Sequence, residues 1–306
     1  MKDLLQFHPE VEAALADGQA VVALESTVIT HGLPYPSNLE TAVSMETAVR
    51  AGGAIPATIA VIQGQIHVGL TAEQLDYLAT RPDANSYVRK CSRRDLPLAV
   101  ARGEDGATTV AGTMILAHLA GIKLFATGGI GGVHRGHPFD VSADLSELGR
   151  TPVTVVSSGA KSILDLPATR EVLETNGVTI IGYQTDELPA FFSRQSGLHV
   201  DARVEGPTDV ANIIQAHAKM QLQNGILVTV PAPAAAAMDK DLAEVAIAQA
   251  TAEADAAGVH GAASTPWLLR RVVELTEGRS LEANVALLQN NGRTAAEIAV
   301  ALAAQS

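Results

Sequence analysis

Two titratable side chains stand where apolar, strand-like segments of the sequence end. Glu25 follows the run Val21–Leu24, and Lys161 follows Val153–Ser157 after a turn of small residues. A carboxyl group that is partly removed from water has a raised pKa, which suits it to donate or accept protons. An amine in low dielectric at the start of a helix, here expected from Ser162, favours the neutral form that a nucleophile needs. Spacing alone leaves a simpler interpretation open for each residue. Glu25 could be exposed or paired only structurally, and the ammonium of Lys161 could extend to water.

A glycine-rich segment, residues 127–144, carries histidine and carboxylate side chains. Its glycines lack the spacing of a dinucleotide-binding fingerprint, and no helical pattern follows them, so a Rossmann-type site is rejected. Glycines let the backbone approach a ligand closely, and His134, His137, Asp140 and Asp144 could hold a hard divalent cation. The spacing matches no standard metal motif, and Asp144 could instead cap the helix that follows.

A further segment combines cations with hydroxyl groups. Lys90, Arg93 and Arg94 come shortly before Thr108 and Thr109, which stand at the predicted start of a helix. Cations beside a helix N-terminus form an anion pocket. Spacing alone favours the simpler interpretation, a solvated basic turn.

The stretches between these side chains alternate short β-branched runs with longer helical patterns, which predicts an α/β fold. The predicted strands are nearly continuous apolar runs, as expected for strands covered on both faces: Ala20–Ser26, Ala57–Ile62, Leu124–Thr127, Val153–Ser157, Val178–Gly182 and Ile226–Val230. The predicted helices are Asn38–Ala51, Thr109–Leu119, Ser162–Asn176, Thr208–Gln223, Lys240–Ala257, Pro266–Thr276, Leu281–Asn290 and Thr294–Ala304.

We therefore expect a central, largely parallel or mixed β-sheet flanked by helices on both faces, with a helical C-terminal region. No linker of Pro, Gly and Ser divides the chain, so residues 1–306 are predicted to form one domain. The alanine-rich C-terminal helices could cover the sheet or build a subunit interface, and the sequence leaves both open.

Composition restricts the partners and the compartment. The formal net charge of −12 argues against a nucleic-acid polymer, because an acidic surface repels phosphate. The single cysteine, Cys91, cannot form an internal disulfide and suits a reducing compartment. Met1–Leu5 soon meets Glu10 and Glu12, so no signal segment is predicted. The apolar run Ala107–Ala126 is interrupted by a histidine and a lysine and is interpreted as buried core, with no membrane span. We expect a cytoplasmic protein.

Taken together, these segments resemble the pseudouridine-5′-phosphate glycosidase family, which includes the indigoidine synthase A-like proteins. The similarity covers nearly the whole chain, and its motifs are long and in the same order. The matching segments are ALESTVITHGLPYP (Ala23–Pro36), KCSRRDLP (Lys90–Pro97), GATTVAGTM (Gly106–Met114), FATGGIGGVHRG (Phe125–Gly136), FDVSADLSEL (Phe139–Leu148), VTVVSSGAKSILD (Val153–Asp165), GYQTDELPAFF (Gly182–Phe192), ASTPWLL (Ala263–Leu269) and SLEANVALLQNN (Ser280–Asn291).

The resemblance implies an enzyme that converts pseudouridine 5′-phosphate and water reversibly to uracil and ribose 5-phosphate. It also implies Mn²⁺, one ion per subunit, and a homotrimer. Lys161 matches the Schiff-base lysine of the family, Glu25 its proton donor and Asp140 its metal-binding aspartate. Such a lysine suits the reaction, because an amine that captures C1′ of an opened sugar gives an iminium through which a C–C bond can break.

The resemblance also implies substrate contacts at Lys90, Val110, Ser142, Ala143 and Asp144. We expect Lys90, helped by Thr108 and Thr109, to neutralise the substrate phosphate. His134 is a further candidate for substrate contact.

The chain departs from the family pattern in two places. Val230–Ala235 keeps its prolines but lacks polar groups, which leaves a substrate contact from this loop open. Ser157 and Ser158 replace other small residues before the lysine, and we expect this change to be nearly neutral.

Three other functions are compatible with a chain of this class. A kinase is set aside because the chain has no Walker A loop. A related C-glycoside or phosphosugar lyase of the indigoidine branch stays open, since fold and catalytic core do not define the leaving group. A non-catalytic phosphometabolite sensor is disfavoured because Glu25, Asp140 and Lys161 are all present.

Overall fold

The computed structural model describes residues 4–81, 87–259, 261 and 264–305. Ala263, the first residue of the ASTPWLL match, lies outside these ranges. No helix in the described ranges is both long and apolar enough to cross a membrane.

The described strands are short. They are β1 (Leu5–Phe7), β2 (Val21–Leu24), β3 (Ile55–Ile62), β4 (Gln65–Val68), β5 (Arg89–Cys91), β6 (Gly106–Thr108), β7 (Leu124–Ala126), β8 (Val133–His134), β9 (His137–Val141), β10 (Thr154–Ser157), β11 (Leu164–Asp165), β12 (Thr179–Tyr183), β13 (Ala202–Val204) and β14 (Ile226–Thr229).

The α-helices alternate with these strands along most of the chain. They are α1 (Pro9–Ala16), α2 (Ser37–Ala51), α3 (Ala72–Thr80), α4 (Leu96–Arg102), α5 (Val110–Ala120), α6 (Ala143–Leu148), α7 (Leu166–Thr175), α8 (Pro207–Lys219), α9 (Lys240–Ala256), α10 (Ser264–Leu275) and α11 (Arg279–Ala303). A π-helical turn, Val28–Gly32, follows β2.

One large mixed sheet forms the centre of the molecule. Its strand order is β1–β4–β3–β2–β7–β10–β14–β12–β13, and β5 and β6 branch from it at β3. From β3 to β13 in that order, neighbouring strands are parallel, whereas β4 and β6 run antiparallel to β3. All residues of β2, β10 and β14 are buried, and α5 and α11 both pack on β2 and β7. The predicted α/β class, with a helix-flanked sheet and a helical C-terminal region, is confirmed.

The parallel strands bring the predicted catalytic segments to one edge of this sheet. Leu24 of β2, Ala126 of β7 and Val156 of β10 lie side by side in register. Because parallel strands end at the same edge, the residues after these three strands meet there. Glu25 and Lys161 therefore belong to one edge of the sheet.

The expected helix from Ser162 begins four residues later, at Leu166, so our placement of Lys161 at a helix N-terminus is wrong. Leu164–Asp165 pairs with β8 as strand β11. The side chain of Asp165 then caps α7 by accepting the N–H of Ala168 at 3.0 Å. The segment that follows Lys161 is therefore a turn and a short strand.

Two further helix boundaries differ from expectation. Helix α8 ends at Lys219, before Gln223. The two C-terminal helices expected on either side of Asn291–Arg293 are one continuous helix, α11. Gly292 lies buried against Met45 and Val49 of α2, and this close packing outweighs the low helix propensity of glycine.

A second, three-stranded sheet in the order β11–β8–β9 projects beside the edge that carries Lys161. Its β8–β9 hairpin carries His134 and Asp140. Helix α6 follows, and its cap is Ser142, whose hydroxyl accepts the N–H of Asp144 at 3.2 Å. Asp144 therefore lies inside the helix, and the alternative in which it caps that helix is wrong.

Candidate active site

Glu25 follows β2 and is largely removed from water. The hydroxyl of Thr127, the residue after β7, donates a hydrogen bond to its carboxylate. Burial raises the pKa of Glu25 above its usual range, while the positive charge of Lys161 and the Thr127 hydrogen bond oppose that rise. A carboxyl group in this environment holds a proton at higher pH than an exposed one.

Lys161 extends from a turn that is hydrogen-bonded to the glycine-rich segment. Backbone hydrogen bonds join Lys161 N to the Ile130 carbonyl and Ile130 N to the Gly159 carbonyl, each at 3.0 Å. Gly159 has φ of +82°, and a Cβ there would lie 2.2 Å from the Pro189 carbonyl oxygen, so only glycine fits. The turn aims the Lys161 amine at the Gly129 carbonyl, to which Nζ donates at 2.8 Å.

Lys90 of β5 faces the same group of side chains. Burial lowers the pKa of the Lys90 amine, and the positive charge of Lys161 lowers it further, while Asp144 and Glu25 act in the opposite direction. Two amines and two carboxyl groups therefore lie close enough to influence one another's charge. Of the other cations in the predicted anion pocket, Arg93 binds Glu147 through two hydrogen bonds of 2.8 and 2.6 Å, and the Arg94 side chain is exposed.

Asp144 connects three of the predicted substrate segments. Its two carboxylate oxygens accept the N–H of Ala111, at 2.9 Å, and the N–H of Gly131, at 2.8 Å. Val110, where α5 begins, is buried, and Ala143, where α6 begins, is exposed. The carboxylate of Asp144 thereby holds the start of α5 and the glycine-rich segment beside α6.

The two predicted threonines make structural contacts. The Thr108 hydroxyl is fully buried, donates to the Ile59 carbonyl at 2.8 Å and accepts from Thr113 at 2.9 Å. Thr109 caps α5 by accepting the N–H of Gly112 at 3.2 Å. Of the predicted phosphate ligands Lys90, Thr108 and Thr109, Lys90 is the one with a charge that lies close to Glu25 and Lys161.

Asp140 and His134 lie together at the hairpin. Burial lowers the pKa of His134, and the negative charge of Asp140 opposes this shift. A cavity of about 20 Å³ lined by both side chains is large enough for a water molecule. In the described ranges, no three His, Cys, Asp or Glu side chains are grouped closely enough to hold an ion by themselves. A cation that keeps most of its water and binds one carboxylate fits Asp140.

Two residues of this site were absent from the sequence-based prediction. Thr127 was seen only as the end of a strand, and His31 only as part of a family motif. Burial and the charge of Lys90 lower the pKa of His31 to about 4, so a neutral imidazole lies beside Lys90. The π-helical turn that carries His31 is a feature often found at functional sites, but no pattern in the sequence marks it.

Comparison with known proteins identifies the family of the chain. The family model described as "Indigoidine synthase A like protein" matches residues 10–301. A pseudouridine-5′-phosphate glycosidase of Herpetosiphon aurantiacus is 60% identical over 96% of both chains, and one of Hahella chejuensis is 54% identical over 98% of both.

Solved structures are similar over the same length. The prealnumycin C-glycosynthase AlnA, in complex with ribulose 5-phosphate, is 41% identical with a TM-score of 0.90, covering 99% of this chain and 98% of its own. An indigoidine synthase A-like protein from Thermotoga maritima is 37% identical with a TM-score of 0.88, covering 98% and 97%. The chain therefore belongs to the indigoidine synthase A-like family.

Proposed function

We propose that this enzyme cleaves the C–C glycosidic bond of pseudouridine 5′-phosphate reversibly, with water, to uracil and ribose 5-phosphate. The observation that carries the proposal is the cluster of charged groups at one sheet edge, where Lys161 and Lys90 lie close to a largely buried Glu25. The relatives at 54–60% identity, named pseudouridine-5′-phosphate glycosidases, support the choice of substrate.

Lys161 is proposed to act as the nucleophile. Its neutral amine attacks C1′ of the ribose, the C1′–O4′ bond breaks, and O4′ takes a proton. The nitrogen then gives up a proton, and its lone pair forms a C1′=N bond as the C1′–C5 bond breaks, while C5 of the released uracil takes a proton. Water hydrolyses the iminium to ribose 5-phosphate and frees the amine.

Glu25 is proposed to supply the protons in this sequence. A carboxyl group with a raised pKa keeps its proton close to neutral pH, which a general acid requires. The amine of Lys161 lies close enough for its charge to act on Glu25, so a proton that the amine releases during the reaction can return to the carboxyl group.

The phosphate end of the substrate is proposed to lie between Lys90 and the start of α5, close to Val110. Ser142, Ala143 and Asp144 form the adjacent wall, because Asp144 is bonded to the first turn of α5. The ammonium of Lys90 favours a phosphate group, whereas the N–H groups of Ala111 and Gly112 in α5 already bond to Asp144 and Thr109.

A divalent metal, Mn²⁺ at one per subunit, is proposed at Asp140. When bound, such an ion would organise water and polar groups of the substrate. Asp140 would hold it through one carboxylate, with the neutral His134 alongside. Chelation should silence the enzyme and Mn²⁺ should restore it, and electron paramagnetic resonance of Mn²⁺ should show binding that Asp140→Asn abolishes. Activity that is indifferent to chelator would remove the metal from the proposal.

A second activity is favoured by one observation. The solved relative AlnA is named a C-glycosynthase, so the same fold can serve C-glycoside formation on another acceptor. The higher identity to the glycosidases favours pseudouridine 5′-phosphate. Incubation of ribose 5-phosphate with uracil or with larger aromatic acceptors would separate the two activities.

The first test is borohydride trapping with pseudouridine 5′-phosphate, followed by peptide mass spectrometry. We expect a reduced pentose-phosphate adduct on Lys161, and neither adduct nor uracil release in Lys161→Ala. Uracil release from the wild type without an adduct would contradict the lysine mechanism. The absence of both an adduct and released uracil would contradict pseudouridine 5′-phosphate as the substrate. It would favour the C-glycoside lyase or the sensor.

A homotrimer in the cytoplasm remains part of the proposal. Phe139, on the β8–β9 hairpin, is 99% exposed, and an apolar side chain in that position suits a subunit contact. Light scattering after size exclusion should give the mass of three chains, and Phe139→Ser should lower it. Cys91 is buried, which raises the pKa of its thiol to about 12 and suits a reduced compartment.

A further inference from the structure

We propose that Asn291, a buried residue of α11, is a positioning residue that holds the two catalytic segments in their working arrangement. One segment follows β7 and carries Thr127, and the other follows β10 and carries Lys161. The inference rests on the proposed function, in which Glu25 and Lys161 act on one substrate.

Asn291 is fully buried, and its amide group makes hydrogen bonds outside its own helix. Nδ2 donates to the carbonyl oxygens of Thr127, at 2.9 Å, and Gly128, at 3.3 Å. The Ser158 hydroxyl lies 3.2 Å from Oδ1 and donates to it. The amide thus bridges the residues that follow β7 and those that follow β10.

The orientation of this amide is determined by its partners. Two carbonyl oxygens face one end of the side chain, so that end must be the N–H₂ group. An aspartate of the same shape would place an oxygen against those two carbonyls, where it has no proton to donate. The chemical identity of Asn291, and not only its volume, therefore matters.

The bridge continues to both catalytic groups. Thr127, whose carbonyl Asn291 binds, donates its hydroxyl to Glu25. Ser158 N donates to the Gly128 carbonyl at 2.9 Å, and the next carbonyl in the chain, that of Gly129, accepts from Lys161 Nζ. One amide therefore restrains the acid and the nucleophile relative to each other.

Apart from Thr294, the buried α11 surface near this point is apolar. Leu287, Leu288, Ala295 and Ala296 are buried there. A buried amide costs free energy unless its hydrogen bonds are satisfied, so packing alone would be served by an apolar side chain. Here the hydrogen bonds of Asn291 go to the two segments that carry catalysis.

The test compares Asn291→Ala and Asn291→Asp with Asn224→Ala. Asn224 is the control outside the site, because its amide also donates to two carbonyls, those of Gly177 at 2.9 Å and Gly225 at 3.2 Å. We expect both Asn291 variants to lose about 10- to 100-fold in kcat with KM changed less than about twofold, since misplaced catalytic groups reduce the rate of the chemical step. Asn224→Ala should lose thermal stability without this selective loss.

A pH profile distinguishes positioning from simple destabilisation. The Thr127 hydrogen bond lowers the pKa of Glu25, so loosening it raises that pKa and moves the alkaline limb of kcat to higher pH. Asn291→Ala and Thr127→Val should both move the limb in this direction, and the double variant should move it no further than Thr127→Val alone. Ser158→Ala, which leaves α11 unchanged, should give a smaller loss of kcat. This variant replaces the Asn291 variants if they do not fold.

The proposal is overturned if Asn291→Ala, or Ser158→Ala where that variant alone folds, keeps the wild-type kcat and alkaline limb. It is also overturned if the loss appears equally in Asn224→Ala. Trapping of the wild type on Lys161 is measured first, so a failed proposed function is recognised separately from a failed role for Asn291.

Discussion

At the scale of single residues, the environment of Glu25 decides its chemistry. Glu46 offers a comparison, because burial also raises its pKa and a threonine, Thr58, also donates to it at 2.5 Å. Glu46 lies on α2, away from the pocket. The difference between the two carboxyl groups is the presence of Lys161 and Lys90 beside Glu25.

This comparison leads to a matched pair of variants. Glu25→Gln keeps the shape but cannot donate a proton as an acid, so kcat for uracil release should fall by about 10²- to 10⁴-fold. Borohydride should still trap ribose 5-phosphate on Lys161 in this variant. The open-chain aldehyde of this sugar forms a Schiff base without cleavage of a C–C bond. Glu46→Gln should retain wild-type turnover. Normal turnover in Glu25→Gln would contradict its role.

Lys90 is the second residue whose role can be separated from the chemistry. Lys90→Met keeps most of the length of the side chain and removes its charge. KM for the phosphorylated substrate should therefore rise by about 10- to 100-fold, the range for loss of a hydrogen bond to a charged group. The preference for pseudouridine 5′-phosphate over pseudouridine should shrink by a similar factor. Arg94→Gln is the control, since the Arg94 side chain is 88% exposed. An unchanged preference in Lys90→Met would assign the phosphate to another group.

The sequence allowed Glu25 and Lys161 to be predicted because each breaks an apolar run at a strand end. It could not reveal Thr127, because its role depends on two parallel strands lying side by side, which is a property of the sheet. Thr108 and Thr109 show the opposite case: their hydroxyls suggested an anion site, but the structure uses them for a buried network and a helix cap.

At the scale of elements, the β8–β9 hairpin depends on Arg135. Its guanidinium donates to the carbonyls of Leu164, at 3.1 Å, and Ser162, at 2.8 Å, and also pairs with Glu244 of α9. These contacts join the hairpin with Asp140 to the turn that follows Lys161. The geometry uses the planar fork of arginine, which lysine does not reproduce.

We therefore expect Arg135→Lys to lower kcat by about 10-fold, because the hairpin and the lysine turn lose their common anchor. Mn²⁺ affinity should fall with it if Asp140 binds the ion. Glu244→Ala removes only a partly exposed ion pair and should change kcat less than about twofold. Equal losses in the two variants would show that the ion pair, and not the carbonyl contacts, holds the hairpin.

The small sheet also marks the limit of prediction at this scale. The large-sheet strands predicted from continuous apolar runs all exist, within one or two residues. Strands β8 and β11 have two residues each, too few for any periodicity, and β9 is mostly exposed. Pairing of β11 with β8 is what delays α7 to Leu166, so the error in the helix boundary and the missed sheet have one cause.

At the scale of the whole molecule, the C-terminal helices could not be assigned from sequence to the sheet or to an interface. The structure packs α11 against α2, α8, β2, β7 and β10. One continuous core cluster includes residues from Leu5 to Leu302. The prediction of a single domain, 1–306, has a direct test in the cooperativity of unfolding.

Trp267 makes this test possible, since it is the only tryptophan and lies on α10, against the core. If the C-terminal helices belong to the same cooperative unit as the sheet, Trp267 fluorescence and far-ultraviolet circular dichroism should report the same transition temperature. Val272→Ala, at a fully buried position of α10, should lower both temperatures together, by several degrees. A fluorescence transition that precedes the loss of sheet structure, or moves alone in Val272→Ala, would make α9–α11 a separate unit. Because α11 carries Asn291 beneath the catalytic edge, coincident transitions would also mean that the site forms only when the whole chain has folded.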